Sequence, residues 1–453
     1  MENTEALSTT SSEPETLPKQ VNGFPKAGYA WCVVGVLLFA YSVSFVDRLI
    51  LSLMVTPIRS DLHISDTGIS LLQGLAFALL YTFFGLILGR WADQHNRIRL
   101  IVAGITVWCL ATVACGFAHT FAQLFVARIF VGVGEAALSP AAYSLIADSF
   151  SREKRGRAVS VYGMGIFIGS GTALIFGGLV VKALSTAKMV DFPLLGELAP
   201  WRVAFIVVGA SGLLAAALAL TIREPSRKEL TSRSPNMRDF LGFVAARRAA
   251  LGTAIIINSC MAMVNFSIAA WLPVYFIRVF KWSPLQIGTA YGTILLTAGC
   301  VGMATGGVLA DRLVKKGNAG GAMVVIRWAT AFIPPCVLWV GWVESPAVAL
   351  CSLAAASFFL GVPTGLGPSS IHAIAPNQFR GQTVALLLFS ASVFGLGMGP
   401  TFVAIITDYV FHYDLSVGHS LSIVVFAASL LSVVVAFYGR KAYELALSSN
   451  TSF

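Results

Sequence analysis

Residues 89–99 read GRWADQHNRIR, and residues 306–317 read GGVLADRLVKKG. Gly89 and Asp93 of the first stretch answer Gly307 and Asp311 of the second, at the same spacing, and each stretch closes an apolar block. A second pair repeats as well: KRGRAVS at 154–160 and FRGQTVA at 379–385, with Arg155-Gly156 answering Arg380-Gly381. Two pairs at corresponding positions predict a chain built from two related halves around a central site.

Outward from these motifs the chain is strongly apolar. Of its 453 residues, 57% are hydrophobic and only 11% charged, whereas a soluble domain carries about 25% charged residues. The apolar residues fall in blocks of roughly 20 to 28, each long enough to cross a bilayer as a helix. The blocks give twelve spans, at 29–56, 67–90, 99–118, 121–147, 157–182 and 201–222, then 250–278, 286–310, 322–342, 347–372, 382–408 and 419–439. The organisation expected is a flexible tail (1–28), a six-helix bundle (29–222), a polar, basic linker (223–249), a second six-helix bundle (250–441) and a short tail (442–453).

The first twenty residues, MENTEALSTTSSEPETLPKQ, lack the basic start and short apolar core of a cleavable signal. An even number of spans puts both termini on one side. Placing that side in the cytoplasm assigns most of the 31 lysines and arginines to cytoplasmic segments, as the positive-inside bias requires. The net charge of +10 is thereby accounted for without a nucleic-acid surface. A bacterial inner membrane is the expected location. The seven cysteines lie in apolar blocks and form no CxxC pair, so they read as small packing residues. No HExxH, GxSxG, P-loop or cysteine/histidine cluster points to an enzyme, and neither a cofactor nor a metal is expected.

The loop motif of Gly89, Asp93, Arg97 and Arg99, with its second copy at Gly307, Asp311 and Arg312, resembles the major facilitator superfamily. Gln94 stands where the family commonly has arginine, and Asn96 where it has a second glycine. A narrower resemblance rests on SFVDRLILSLMV (44–55) and its continuation, on RIFVGVGEAALSPAAYSLIADSF (128–150) and on REKRGRAVSVYGMGIFIGSG (152–171). These stretches are similar to bacterial members of the spinster branch, whose animal relatives are associated with sphingolipid and lysophospholipid export. A neighbouring branch of organic-anion symporters has a similar first helix. The resemblance implies an all-α membrane protein, with twelve transmembrane helices in two pseudo-symmetric bundles, working by alternating access. It also implies that helices one and four line the central cavity, and that Asp93 faces the start of span eleven.

Four charges lie inside the first half: Asp47 and Arg48 in span one, Arg128 and Glu135 in span four. Charges in hydrocarbon are expensive and mark functional sites. Arg128 and Glu135 are seven residues apart, close to two helical turns, on nearly one face. At about 1.5 Å per residue, Asp47 and Arg128 sit roughly 10–14 Å below the external boundary, with Glu135 about 10 Å further in. Asp47 and Arg128 are therefore expected to be partners, with Glu135 below them. A nearby arginine favours the ionised carboxylate and desolvation the neutral acid. Asp47 and Glu135 are thus candidate proton-coupling groups with Arg128 setting their affinity. A static buried pair and substrate binding without proton exchange stay open. Arg48 is left to contact Asp47's neighbours, reach outward or attract an anionic headgroup.

The substrate expected is a lipid-like amphiphile or, second, a small organic anion held by Arg48 or Arg128. Glu135, Tyr162, Asn258, Asn265 and Tyr291 are further candidate cavity contacts. An uncoupled facilitator is the alternative function. Candidate gating residues are Gly89, Asp93, Arg97, Asp148, Arg157, Gly307 and Asp311, with Arg97 paired to Asp148 to close the cytoplasmic side. Gly165, Gly169 and Gly171 offer surfaces for close helix approach. Protons, the substrate and the bilayer are the only partners expected of a monomer.

Overall fold

The computed structural model describes residues 24–184, 190–192, 196–227 and 237–448. In hydrocarbon every main-chain N–H and C=O must find its partner within the segment, so the apolar blocks fold as helices. Eleven helices are long and apolar enough to span a membrane. They are Ala27–Leu53, Asp66–Ala92, Arg97–Gly116, Phe121–Ser149, Lys154–Leu184, Pro200–Ala219, Arg248–Arg278, Pro284–Lys315, Pro346–Ile374, Arg380–Phe411 and Asp414–Tyr438. The shorter apolar helix Gly321–Val337 completes twelve as span nine. It pauses at Phe332, ahead of Pro334 and Pro335, and ends earlier than its hydropathy suggests.

Proline shapes span four as well. Its helix stops at Glu135 and resumes at Leu138, because Pro140 has no N–H to offer the carbonyl of Ala136. π-helical turns occur in other spans: Leu71–Leu75 in span two, Leu295–Gly299 in span eight, and Ala391–Gly397 and Ile406–Phe411 in span eleven. An antiparallel hairpin, Val190–Phe192 with Gly196–Leu198, joins spans five and six.

Twelve crossings put the first and last described residues on one face, here the termini face; the other is the far face. The two six-helix halves meet closely where side chains are smallest. A Cβ on Gly171 of span five would sit 2.6 Å from the Gly292 carbonyl oxygen of span eight, and the reverse holds equally. Backbones therefore touch there, and any side chain would force them apart.

Two expected boundaries change. The linker carries a helix, Met237–Ala246, whose Phe240 and Phe243 pack on Phe379 with ring centroids 6.0 and 4.9 Å away. Of the segment read as a tail, 442–453, residues 442–448 lie in the helix Arg440–Ser448. Tyr443 anchors it, its hydroxyl donating to the Ser370 carbonyl at 2.5 Å. One apolar stripe on each short helix suffices for this docking, a signal weaker than a span. Of the expected tail at 1–28, residues 1–23 lie outside the described residues, and the first helix already begins at Ala27.

Candidate functional site

The four buried charges converge, but with different partners from those expected. Arg48 meets Glu135: its Nε donates to Oε2 at 2.7 Å, and its Nη2 contacts the same oxygen. Arg128 reaches Asp47 only through the main chain, its Nη1 donating to the Asp47 carbonyl at 3.0 Å. Its Nε donates to the Leu72 carbonyl of span two at 3.3 Å. The expected Asp47–Arg128 side-chain pair is thus replaced by an Arg48–Glu135 pair.

The reason is the direction of the side chains. Cα–Cβ bonds tilt toward a helix's own N-terminus, and spans one and four run in opposite directions. Asp47 therefore leans toward the termini face and Arg128 toward the far face, so equal depth makes them diverge. Arg48 and Glu135 start at different depths and lean toward each other. Pairing follows the tilt, not the depth.

Burial sharpens the contrast. Asp47 is 1% exposed, Arg128 0% and Glu135 2%. Both carboxyl oxygens of Asp47, Oε1 of Glu135 and Nη2 of Arg128 are buried without a hydrogen-bond partner among the described residues. The Thr112 hydroxyl is the neighbouring polar group, and the charges of Glu135, Arg128 and Arg48 act on the Asp47 carboxyl. Arg48 is held over an aromatic wall, its guanidinium 5.0 Å from the Phe45 ring, 4.6 Å from Phe77 and 5.4 Å from Tyr81. Such cation–π contacts help offset desolvation of the charge.

Arg48 also borders a cavity between the halves. Gln73 and Ser170 stand with it on the first half, and Asn265 and Tyr291 on the second. Phe45, Phe167 and Phe266 supply apolar surface. Of the four neutral candidates, Asn265 and Tyr291 are on this wall. Tyr162 is instead fully buried behind it, stacked on Tyr41 at 5.0 Å and edge-on to Tyr143 at 5.2 Å. Asn258 faces Gly367 of span ten. Gln73 was missed by the sequence reading because a lone glutamine in an apolar run carries no spacing signal.

At the termini face Arg97 is fully buried. Its Nη1 donates to Asp148 at 2.5 Å and to the Ser144 hydroxyl at 2.9 Å, while its Nε donates to Glu224 at 2.6 Å. All these partners belong to the first half or the start of the linker, so the contact braces one half and does not bridge two. Glu224 lies in a polar stretch where nothing in the sequence singled it out. Arg157 lies over Trp31, 5.8 Å from the ring centroid. Gly89 packs toward Pro140, Gly307 has open space around it, and Asp311 is exposed. The side chain of Asp93 lies outside the described residues.

Bridging ion pairs occur at the far face, where the sequence reading named none. Asp66, at the start of span two and fully buried, accepts from Arg278 of span seven at 2.6 and 2.7 Å. Arg59 contacts Asp66 at 3.1 Å and Asp414 at 2.8 Å. Asp408 accepts from the Thr67 amide and hydroxyl, both at 2.7 Å. Carboxylate oxygens of Asp66, Asp408 and Asp414 lie within 4.8 Å of one another, and these arginines and Thr67 supply their counter-charge and donors. Burial opposes the Arg59 charge, but Asp66 and Asp414 outweigh it and raise its pKa. Charges at helix ends look like ordinary loop residues in sequence, so their pairing across 212 positions was not legible.

This architecture has known counterparts. The family model of the Major Facilitator Superfamily matches residues 37–400. The chain is 26% identical over 422 residues to an MFS-type efflux pump of Mycolicibacterium smegmatis, covering 92% of this chain and 94% of that one. It is 28% identical over 299 residues to Protein spinster of Drosophila melanogaster, covering 63% of this chain and 46% of the relative. The chain thus spans about half the length of that spinster protein. Among solved structures it superposes on a bacterial homolog of the human lysosomal transporter Spinster in an inward-facing conformation. That match has a TM-score of 0.73 and 24% identity, covering 94% of this chain and 98% of the other. A D-xylose–proton symporter gives a TM-score of 0.69 at 16% identity, covering 89% and 97%. With its twelve helices in two related halves, the chain belongs to the Major Facilitator Superfamily and is a multi-pass membrane transporter, not an enzyme.

Proposed function

We propose that this transporter is proton-coupled and moves an amphiphilic lipid-like or organic anion by alternating access, with the termini face in the cytoplasm. The observation that carries the reading is that Arg48, on the cavity wall, is paired with Glu135 buried behind it. A carboxylate on the substrate and the carboxylate of Glu135 compete for one guanidinium. Protonating Glu135 removes its charge and releases Arg48 to the anion in the cavity; losing the proton reverses the exchange. Proton and anion therefore occupy the site together.

Asp47 serves as the second protonation site. Its buried carboxyl has no hydrogen-bond partner among the described residues, and an isolated charge in such a place is strongly disfavoured. When the proton leaves, the free Nη2 of Arg128 is the nearby donor that answers the new charge. That shift pulls on the two carbonyls Arg128 now holds, Asp47 in span one and Leu72 in span two. The far-face ion pairs hold the halves together on the outside, and their separation opens the cavity there. Arg97, Asp148 and Glu224 keep the first half rigid during this exchange.

Proteoliposomes carrying the wild type, Asp47→Asn and Glu135→Gln test the reading. A pH gradient should drive substrate uptake, and substrate should drive proton flux, only in the wild type. If both variants keep gradient-driven transport at wild-type rates, Asp47 and Glu135 are not the coupling groups; if the wild type itself shows no gradient-driven uptake, the protein is an uncoupled facilitator.

A further inference from the structure

Gln73 stands in the π-helical turn Leu71–Leu75 of span two. It is 8% exposed and borders the cavity, yet neither its Oε1 nor its Nε2 has a hydrogen-bond partner among the described residues. Native proteins pair the large majority of buried amides, so an orphan of this kind calls for a reason. Single π-helical turns inside α-helices are frequent at functional sites.

The turn is pinned on both sides of Gln73. The Leu72 carbonyl accepts from Arg128 Nε, tying the turn to the charged cluster. Gly74 fits against the other half: a Cβ there would lie 2.5 Å from the Leu396 carbonyl oxygen and 3.0 Å from that of Gly397. Both are in the π-helical turn Ala391–Gly397 of span eleven, and Leu396 also borders the cavity. The backbone thus fixes the position of Gln73, which lines the same cavity as Arg48.

We propose that Gln73 is a specificity-determining residue whose amide takes a neutral hydrogen-bonding group, a hydroxyl or amide, carried next to the substrate's anionic group. This rests on the reading of Arg48 as the anion's partner. A carboxamide offers a donor and an acceptor together, and a hydroxyl answers both. An anion without such a group leaves the Gln73 amide unpaired in the loaded cavity. A site built around a buried polar group discriminates strongly against the analogue that lacks the matching one.

The test uses the purified full-length chain in lipid nanodiscs, with binding of hexadecanoate and 2-hydroxyhexadecanoate measured for wild type, Gln73→Met and Arg48→Gln. Gln73→Leu serves as a second variant, and monodispersity on size exclusion establishes that each is folded. Wild type should prefer the hydroxylated acid by about tenfold. Both Gln73 variants should lose that preference while keeping affinity for hexadecanoate, and Arg48→Gln should weaken both acids alike. Equal binding of the two acids by wild type, or a preference that survives in the Gln73 variants, overturns the role of Gln73 and leaves Arg48 standing. If wild type binds neither acid, both the anion reading and this inference fall.

Discussion

Span one and span seven open the two halves of the protein and face the same cavity, yet they carry different chemistry. Span one holds Asp47 and Arg48 deep in the membrane, next to Arg128 and Glu135 of span four. Span seven presents Asn265 to the cavity and keeps its charges, Arg248 and Arg278, at its ends. A duplicated fold has therefore been divided into a half with interior charges and a half with a neutral wall. Where the second half meets the first, it contributes charge through Arg278 on Asp66. The difference teaches that pseudo-symmetry constrains the backbone and leaves the polar chemistry free to diverge.

The most severe break of this comparison is Glu135→Gln. Truncating one partner of a buried charge pair costs about 2–5 kcal/mol, so anion-dependent proton flux should fall by about 30-fold or more. Proteoliposome flux assays measure this directly, and near-normal flux would mean that the interior charges are not the working part of the first half.

Arg97→Ala should act on stability instead. It removes a fully buried guanidinium from Asp148, Ser144 and Glu224, with an expected loss of about 1.5–3 kcal/mol. The apparent melting temperature in detergent should drop clearly; an unchanged value would remove Arg97 as the brace of the first half.

The boundary between the halves is probed by Asp66→Asn, which leaves Arg278 without its carboxylate. Loosening of the far face should raise far-side thiol labelling of a cysteine placed at Ser52 by about tenfold, an energy shift near 1.4 kcal/mol. Unaltered labelling would show that the glycine contacts of spans five and eight hold the far face without the ion pairs. The smallest effect is expected from Asn265→Ala on the neutral wall. Substrate affinity should change by about threefold, with the proton-to-substrate ratio unaltered; a changed ratio would bring the second half into the coupling machinery.

Much of the architecture was legible because membrane insertion writes itself into composition. Apolar blocks bounded by charges located the spans within a few residues, and even the short span nine was found, with its end placed too late. The docked helices Met237–Ala246 and Arg440–Ser448 were not, since each buries one narrow stripe and has no need of an apolar block. In the site, the rarity of charge in hydrocarbon was enough to single out Asp47, Arg48, Arg128 and Glu135. Gln73, Asp66 and Arg278 left no comparable trace, being neutral in one case and placed at helix ends in the others.

The sequence by itself determined which residues enter the membrane, that the chain is duplicated, and which charges are too costly to be incidental. Only the tertiary structure decided their partners. Depth along a helix follows from counting residues, whereas contact depends on where each side chain leans and on which helix stands opposite. Spans one and four run antiparallel, so their side chains tilt in opposite senses. That tilt separates Asp47 from Arg128 and delivers Arg48 to Glu135 at the edge of the cavity.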